Sequence, residues 1–241
     1  MLAPDLPRVL LFDLDDTILR FTAGQPNFWH LALLEHLRER SDHAALLARI
    51  EQASDVFWAP LERAFWGRQN MRAARREIAR SALVDEGVSS ALCERIADDM
   101  TDWKEARVRP FDGALETLRT LCERGHRLGL ITNGSSEFQR RKLMRYSLEP
   151  FFELLLIEGE VGFGKPDPRV FSAALQHFGI APSETSMIGD NLEGDIAGAR
   201  AVGIHGIWHD AYARGLPAGS PIVPDRIITS IASLIGVSSD T

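Results

Sequence analysis

Four consecutive apolar residues, Val9 to Phe12, stop abruptly at Asp13-Leu14-Asp15-Asp16-Thr17. A short unbroken apolar run that ends in a polar turn is the pattern of a strand buried on both faces of a parallel sheet. From about residue 21 to residue 105 the texture changes. Glycine is scarce and apolar residues recur at helical spacing. Phe28, Leu31, Leu34 and Leu37 read as one helix face, Leu61, Phe65 and Trp66 open another, and a further helical pattern runs over 83–100. This segment is predicted to be all-helical.

From Arg109 onward strand and helix patterns alternate. Predicted helices cover Ala114–Glu123, 138–145, Pro168–Phe178, 194–202 and 227–235; predicted strands cover Arg127–Thr132, 153–157, Thr185–Gly189 and 204–208. Gly125 and Gly179 stop two of the helices. Such alternation implies βαβ crossovers. The expected fold is α/β: a Rossmann-like parallel sheet flanked by helices, with an inserted all-helical module. Residues 1–20 and 106–241 form the discontinuous core, and 21–105 the insert. An insert that leaves the chain just after a strand is expected to lie over the sheet edge where open α/β folds bind ligands.

Composition narrows the functional classes. Of 241 residues 45% are hydrophobic and 25% charged, which describes a globular chain with a real core. There are 27 basic and 34 acidic residues, net −7. That balance argues against a broad cationic surface for nucleic acid, yet leaves room for a small phosphorylated ligand, which needs only local cations. Cys93 and Cys122 have no CxxC spacing. A reduced, cytoplasmic setting is expected, with both thiols in the core. No apolar run reaches membrane-spanning length, and residues 1–8 lack a secretory pattern.

Three predicted strands end in polar signatures: Asp13-Leu14-Asp15-Asp16-Thr17, Thr132-Asn133-Gly134-Ser135, and Asp190-Asn191-Leu192-Glu193-Gly194-Asp195. Gly164-Lys165-Pro166-Asp167-Pro168 precedes a helix between the last two. In a parallel sheet these ends converge, gathering Asp13, Asp15, Asp190 and Asp195. Crowded carboxylates repel and demand a counter-charge. Hard oxygen donors select a hard cation such as Mg²⁺. Lys165, one of only three lysines, can add a fixed positive charge.

These four motifs, in this order and strand context, resemble the haloacid dehalogenase superfamily, in its phosphatase branch with a helical cap after the first strand. The resemblance spans essentially the whole chain. It implies a Mg²⁺-dependent phosphomonoester hydrolase acting on a small phosphorylated metabolite. Asp13 would be the nucleophile, forming an aspartyl-phosphate, and Asp15 the general acid and base. Thr132, the Asn133 N–H and Lys165 would bind the phosphoryl oxygens. Asp190, the Asp13 side chain and the Asp15 carbonyl would hold the metal, with Asp195 ordering the metal shell. No nucleic acid or membrane partner is expected, and the chain is expected to be a monomer or homodimer.

Other readings compete. A phosphomutase would use the same nucleophile. A haloacid dehalogenase needs no acid at position 15, and a non-catalytic regulator need not keep Asp13, Asp15, Lys165 and Asp190 together. Asp16, Asp167 and Asn191 fit turn formers or helix caps. Arg68, Arg72, Arg76 and Arg80, with Arg75 beside them, fit a solvated helix face or a cationic lid. Trp29, Trp58, Trp66 and Trp103 fit core anchors, and His205 and His209 fit structural or exposed positions.

Overall fold

The apolar run at Val9–Phe12 becomes the central strand of a six-stranded parallel sheet. The structure, a computed structural model, describes residues 5–22 and 24–236. Residues 1–4 of the stretch read for a leader, and 237–241 of the predicted core, lie outside the described residues. In chain order the strands are β1 (Val9–Phe12), β2 (Leu19–Arg20), β3 (Arg109–Pro110), β4 (Arg127–Thr132), β5 (Leu154–Ile157), β6 (Thr185–Gly189), β7 (His205–His209) and β8 (Arg226–Ile228). The sheet order is β5-β4-β1-β6-β7-β8. β2 and β3 form a separate antiparallel pair.

Every residue of β1 is buried, as its unbroken apolar character requires, because strands flank it on both sides and both faces are covered. The chain steps outward from β1 to β4 and β5, then returns across β1 to β6. That reversal opens the ligand crevice of a doubly wound sheet at the C-terminal ends of the central strands. Phe12 pairs with Leu130 on one side and Ile188 on the other, so the strands carrying the polar signatures run in register.

The chain divides into two compact units, Met1–Ala23 with Arg109–Thr241, and Gly24–Val108. The second is all-helical: α1 (Phe28–His36), α2 (His43–Trp58), α3 (Leu61–Gln69), α4 (Met71–Leu83) and α5 (Ser90–Ala106). The Asn27 and Ser89 side chains cap α1 and α5 by accepting a backbone N–H. Leu33, Leu46, Ile50, Ile78, Leu83 and Ile96 build a core of its own, with Trp29, Trp58 and Trp103 packed against it.

Two predicted faces shift. In α1 the buried residues are Phe28, Ala32 and Leu33, whereas Leu34 is exposed. A series at spacing three drifts about 60° per step on a helix of 3.6 residues per turn, so Leu34 leaves the buried face, while Leu31 and Leu37 stay partly buried against the same core as Phe28. In α3 it is Ala64 and Gly67 that are buried, and Leu61, Phe65 and Trp66 are exposed. The arginine face of α4 is no open cationic surface. Arg76 binds Asp98 bidentately, at 2.8 and 2.6 Å. Arg72 pairs with Asp98 and Asp102, and Arg80 with Glu94. The row therefore stitches α4 to α5, and the Arg76 hydrogen bond holds the Asp98 carboxyl below its ordinary range.

Among the described residues, the further helices of the α/β unit are α6 (Ala114–Glu123), α7 (Ser136–Arg145), α8 (Glu158–Val161), α9 (Pro168–Phe178) and α10 (Gly198–Ala201). In α9 the sequence supplies every start and stop signal. Asp167 caps it, Pro168 opens it, and Gly179 ends it at φ +61°. Its buried face, Val170, Phe171, Ala174 and Phe178, packs with Val9, Leu11, Ile131 and Met187.

The predicted helix over 227–235 is instead strand β8, paired with β7, followed by a short 3₁₀ turn, Ile231–Ile235. Ile227, Ile228 and Thr229 are β-branched in succession, which favours extended backbone, and Ser230 caps the turn. The predicted helix over 194–202 begins as a π-helical turn, Leu192–Ala197. Cys93 is buried as expected, but Cys122 is exposed. Among the described residues no helix is long and apolar enough to cross a membrane.

Candidate active site

Asp13 follows β1 and is buried. Its backbone N–H donates to the Ile188 carbonyl at 2.9 Å, which continues the β1–β6 ladder by one residue and fixes where the carboxylate emerges. Lys165, also buried, reaches the same point from the loop before α9. Its Nζ lies 2.5 Å from Asp13 Oδ1 and 2.6 Å from Asp195 Oδ1. Asp195 belongs to the π-helical turn after β6, and its Oδ2 accepts the Asn191 N–H at 2.9 Å. Gly189 makes this possible, because a Cβ there would overlap the Asp195 carboxylate. Asp190 follows β6, and its carbonyl accepts the Trp208 Nε1–H at 2.7 Å.

Oxygen atoms of Asp13, Asp190 and Asp195 lie within 4.8 Å of one another. Burial pushes the Asp13 carboxyl up to about 7; Lys165 pulls it down, and Asp195 and Asp15 push it up again. Asp190 is pushed up to about 9, first by burial and then by Asp13, Asp195 and Asp16. Burial alone would lower the Lys165 ammonium, but Asp13 and Asp195 outweigh it and hold the group above its ordinary value. Three carboxyl groups share one ammonium in a largely desolvated place, and the raised Asp13 and Asp190 mark how little of their negative charge it can offset.

The loop after β4 is braced to the loop carrying Lys165. Asn133 Oδ1 accepts the Lys165 N–H at 2.8 Å, and Asn133 Nδ2 donates to the Lys165 carbonyl at 2.7 Å. The neighbouring Gly134 sits at φ +124°, a conformation for glycine, and its N–H donates to the buried Glu158 Oε2 at 2.9 Å. Gly164 allows the close approach, since a Cβ there would lie 2.8 Å from Glu158 Oε1.

Asp15 has different company. Lys142 Nζ lies 2.6 Å from its Oδ1 and 2.5 Å from its Oδ2, and Gln139 Nε2 donates to Oδ2 at 3.1 Å. The same Gln139 nitrogen reaches Thr132 Oγ1 at 2.5 Å and the Asn133 carbonyl at 2.9 Å. The structure therefore brings Asp13, Lys165, Asp190 and Asp195 into one cluster. Thr132 and Asp15 are joined through α7.

Gln139 and Lys142 are absent from the residues singled out by sequence. Two signals pointed to them. Lys142 is one of three lysines in a chain rich in arginine, and the two residues sit three apart on α7, on one helix face. The modest readings hold for Asp16, whose Oδ1 accepts the N–H groups of Phe21 and Thr22, and for the caps Asp167 and Asn191. His209 is buried and packs edge-on against Phe111. Burial lowers its pKa.

Residues 7–203 match the model of a haloacid dehalogenase-like hydrolase. A phosphoserine phosphatase of Thermus thermophilus is 34% identical over 239 residues, covering 89% of this chain and 92% of the relative. A pyrimidine 5'-nucleotidase of Streptococcus pneumoniae is 28% identical over 85% of this chain and 84% of its own. A glyceraldehyde 3-phosphate phosphatase of Pyrococcus furiosus is 36% identical over 54% of this chain and 55% of its own. Among solved structures, a putative hydrolase of this family from Bacillus subtilis, bound to magnesium, superposes with a TM-score of 0.69 at 25% identity, covering 95% and 97% of the two chains. A 2-haloacid dehalogenase from Pseudomonas syringae gives 0.60 at 25% identity over 95% and 97%. The chain belongs to the haloacid dehalogenase-like hydrolases, on the side of the family whose named members are phosphatases.

Proposed function

We propose that this protein is a Mg²⁺-dependent phosphomonoesterase that hydrolyses a small phosphorylated metabolite through an aspartyl-phosphate on Asp13. The observation that carries the reading is the Asp13–Lys165–Asp195–Asp190 cluster at the ends of β1 and β6, with Asp15 two residues beyond Asp13. The donor set fits the metal. Its side-chain donors are all hard carboxylate oxygens, and their charge exceeds what Lys165 neutralises. Asp13, Asp190 and the Asp15 carbonyl would hold Mg²⁺, with Asp195 ordering its shell. When bound, the ion supplies positive charge against the phosphoryl oxygens.

Asp13 attacks phosphorus as the ester bond breaks, and Asp15 gives the departing alkoxide its proton. Water then attacks the phosphorus of the aspartyl-phosphate and yields its proton to Asp15, which frees Asp13. Lys165 offsets charge on Asp13 and on the transferring group. Thr132 and the Asn133 N–H orient the phosphoryl oxygens, while the Asn133 side chain holds the Lys165 loop in place. Asp15 separates this reading from a dehalogenase, whose halide leaves without a proton.

Residues 1–20 and 106–241 act as the hydrolase core and 21–105 as the cap that selects substrate. The relatives are named for phosphoserine, a pyrimidine nucleotide and glyceraldehyde 3-phosphate, which supports a small phosphomonoester as the substrate. Two free cysteines suit a cytoplasmic enzyme. The test is phosphate release from phosphoserine, nucleoside monophosphates and triose phosphates, with Mg²⁺, with chelator, and with Asp13→Asn. Turnover that disappears in both controls is expected. Turnover unaffected by either would overturn the reading.

A further inference from the structure

We infer that Lys142, confined by two aromatic rings, is a positioning residue for the general acid Asp15, which Gln139 also holds. The inference rests on the reading of Asp15 given above. A carboxylate that must hand a proton to a leaving oxygen has to be aimed, because productive transfer needs the acid within hydrogen-bond reach of that atom. Asp15 follows the end of β1 with its side chain partly exposed, and nothing on β1 itself grips it.

The grip comes from α7. Lys142 Nζ spans both carboxylate oxygens, at 2.6 and 2.5 Å, which fixes the axis along which the group points, and the Gln139 bond to Oδ2 alone fixes its rotation about that axis. Gln139, one turn earlier, joins Oδ2 to the Thr132 hydroxyl and the Asn133 carbonyl. The acid is thereby indexed to the loop that orients the phosphoryl group. Lys142 is itself confined. It is buried, and its Nζ lies 4.3 Å from the centre of the Phe138 ring and 4.8 Å from that of Phe21. A cation held against aromatic faces keeps its charge out of bulk water and loses freedom to wander. An exposed lysine would add little to the aim of its partner. This one is built into a packed corner, and its ion pair fixes a direction.

The consequence is specific. The proton from Asp15 matters in proportion to how poor the leaving group is. An alkyl phosphate departs as a strongly basic alkoxide and needs the acid, whereas p-nitrophenyl phosphate departs as a stabilised anion and needs it little. The ratio kcat/KM covers substrate binding and the phosphorylation of Asp13, and leaves out the hydrolysis that follows. Lys142→Met should therefore lower kcat/KM for an alkyl phosphate at least ~10-fold, a part of the ~10²–10⁴ that general acids contribute, and change it less than ~3-fold for p-nitrophenyl phosphate. Inhibition by inorganic phosphate should stay within a factor of about two. Lys142→Arg should recover most of the alkyl activity, since a guanidinium can bridge both oxygens.

The experiment measures both substrates and phosphate inhibition for wild type, Lys142→Met, Lys142→Arg and Gln139→Leu, with thermal melts to confirm folding. Gln139→Leu should show the same leaving-group bias in weaker form, and carries the test if Lys142→Met does not fold. Equal losses on both substrates, or a loss confined to phosphate affinity, overturn the inference in favour of a structural or phosphate-binding lysine. Wild type that releases phosphate from neither substrate overturns the parent reading of Asp15 instead, so the two failures are distinct.

Discussion

Removing the Lys165 ammonium is the sharpest perturbation of the cluster. In Lys165→Met the Asp13 and Asp195 carboxylates lose a cation at 2.5 and 2.6 Å. Both are buried, so water replaces little of that charge. Breaking a buried pair by deleting one partner costs about 3–5 kcal/mol, because an uncompensated charge stays behind. For a chain of this length each kcal/mol moves the melting temperature by roughly 2–4 °C, so a drop of about 6–20 °C is expected in chelator at pH near 8. The cost should shrink near pH 5, where Asp13, already raised to about 7, takes up a proton and no longer needs the cation. Saturating Mg²⁺ should return part of the loss, about 2.7 kcal/mol at a hundredfold excess over the dissociation constant. Melting curves at the two pH values, with and without metal, supply the whole set. A variant that melts within about 2 °C of wild type at the higher pH, or that loses more at the lower, would refute the reasoning about charge in this site.

Two other outcomes follow from the same geometry. In chelator, wild type should lose stability relative to Asp190→Asn as pH rises from about 6 to about 9, because a folded carboxyl held near 9 keeps a proton that the unfolded chain has already released. The sign is that of a raised acid: the favourable contribution is complete below the ordinary carboxyl range and gone above the folded value, and parallel pH curves for the two proteins would contradict it. Gly189→Ala should displace the Asp195 carboxylate from Lys165 and lower turnover at least ~10-fold, since a small misplacement near the chemistry is costly; activity within twofold of wild type would show that the turn absorbs the methyl group.

Much of the site was legible because it depends on strand ends. Once 9–12, 127–132 and 185–189 are read as parallel strands, Asp13, Thr132 and Asp190 must emerge at the same edge. Lys165 follows from the loop that leads into α9. Gln139 and Lys142 were not legible in the same way. A helix after β4 was expected, but which of its faces meets Asp15 depends on how α7 packs, and a single helical stretch does not state that. The same limit explains α1, where Leu33 rather than Leu34 is buried. It also explains the arginines of α4, whose partners Glu94, Asp98 and Asp102 lie on α5 and are joined to them only by packing. The misread segment after residue 225 is of another kind. Apolar residues at 227, 228, 231, 234 and 235 match a helical face, while β-branching at 227–229 favours a strand, and pairing with β7 decides between them.

The aspartyl-phosphate is the central claim, and it can be trapped. Enzyme mixed with its best phosphomonoester and Mg²⁺ is quenched within a turnover and treated with borohydride, which reduces an acyl phosphate to the alcohol. Peptide mass spectrometry should then find homoserine at position 13, and aspartate there when substrate is omitted or chelator is present. Rapid phosphate release with position 13 unreduced, or reduction at another carboxylate, would contradict the account.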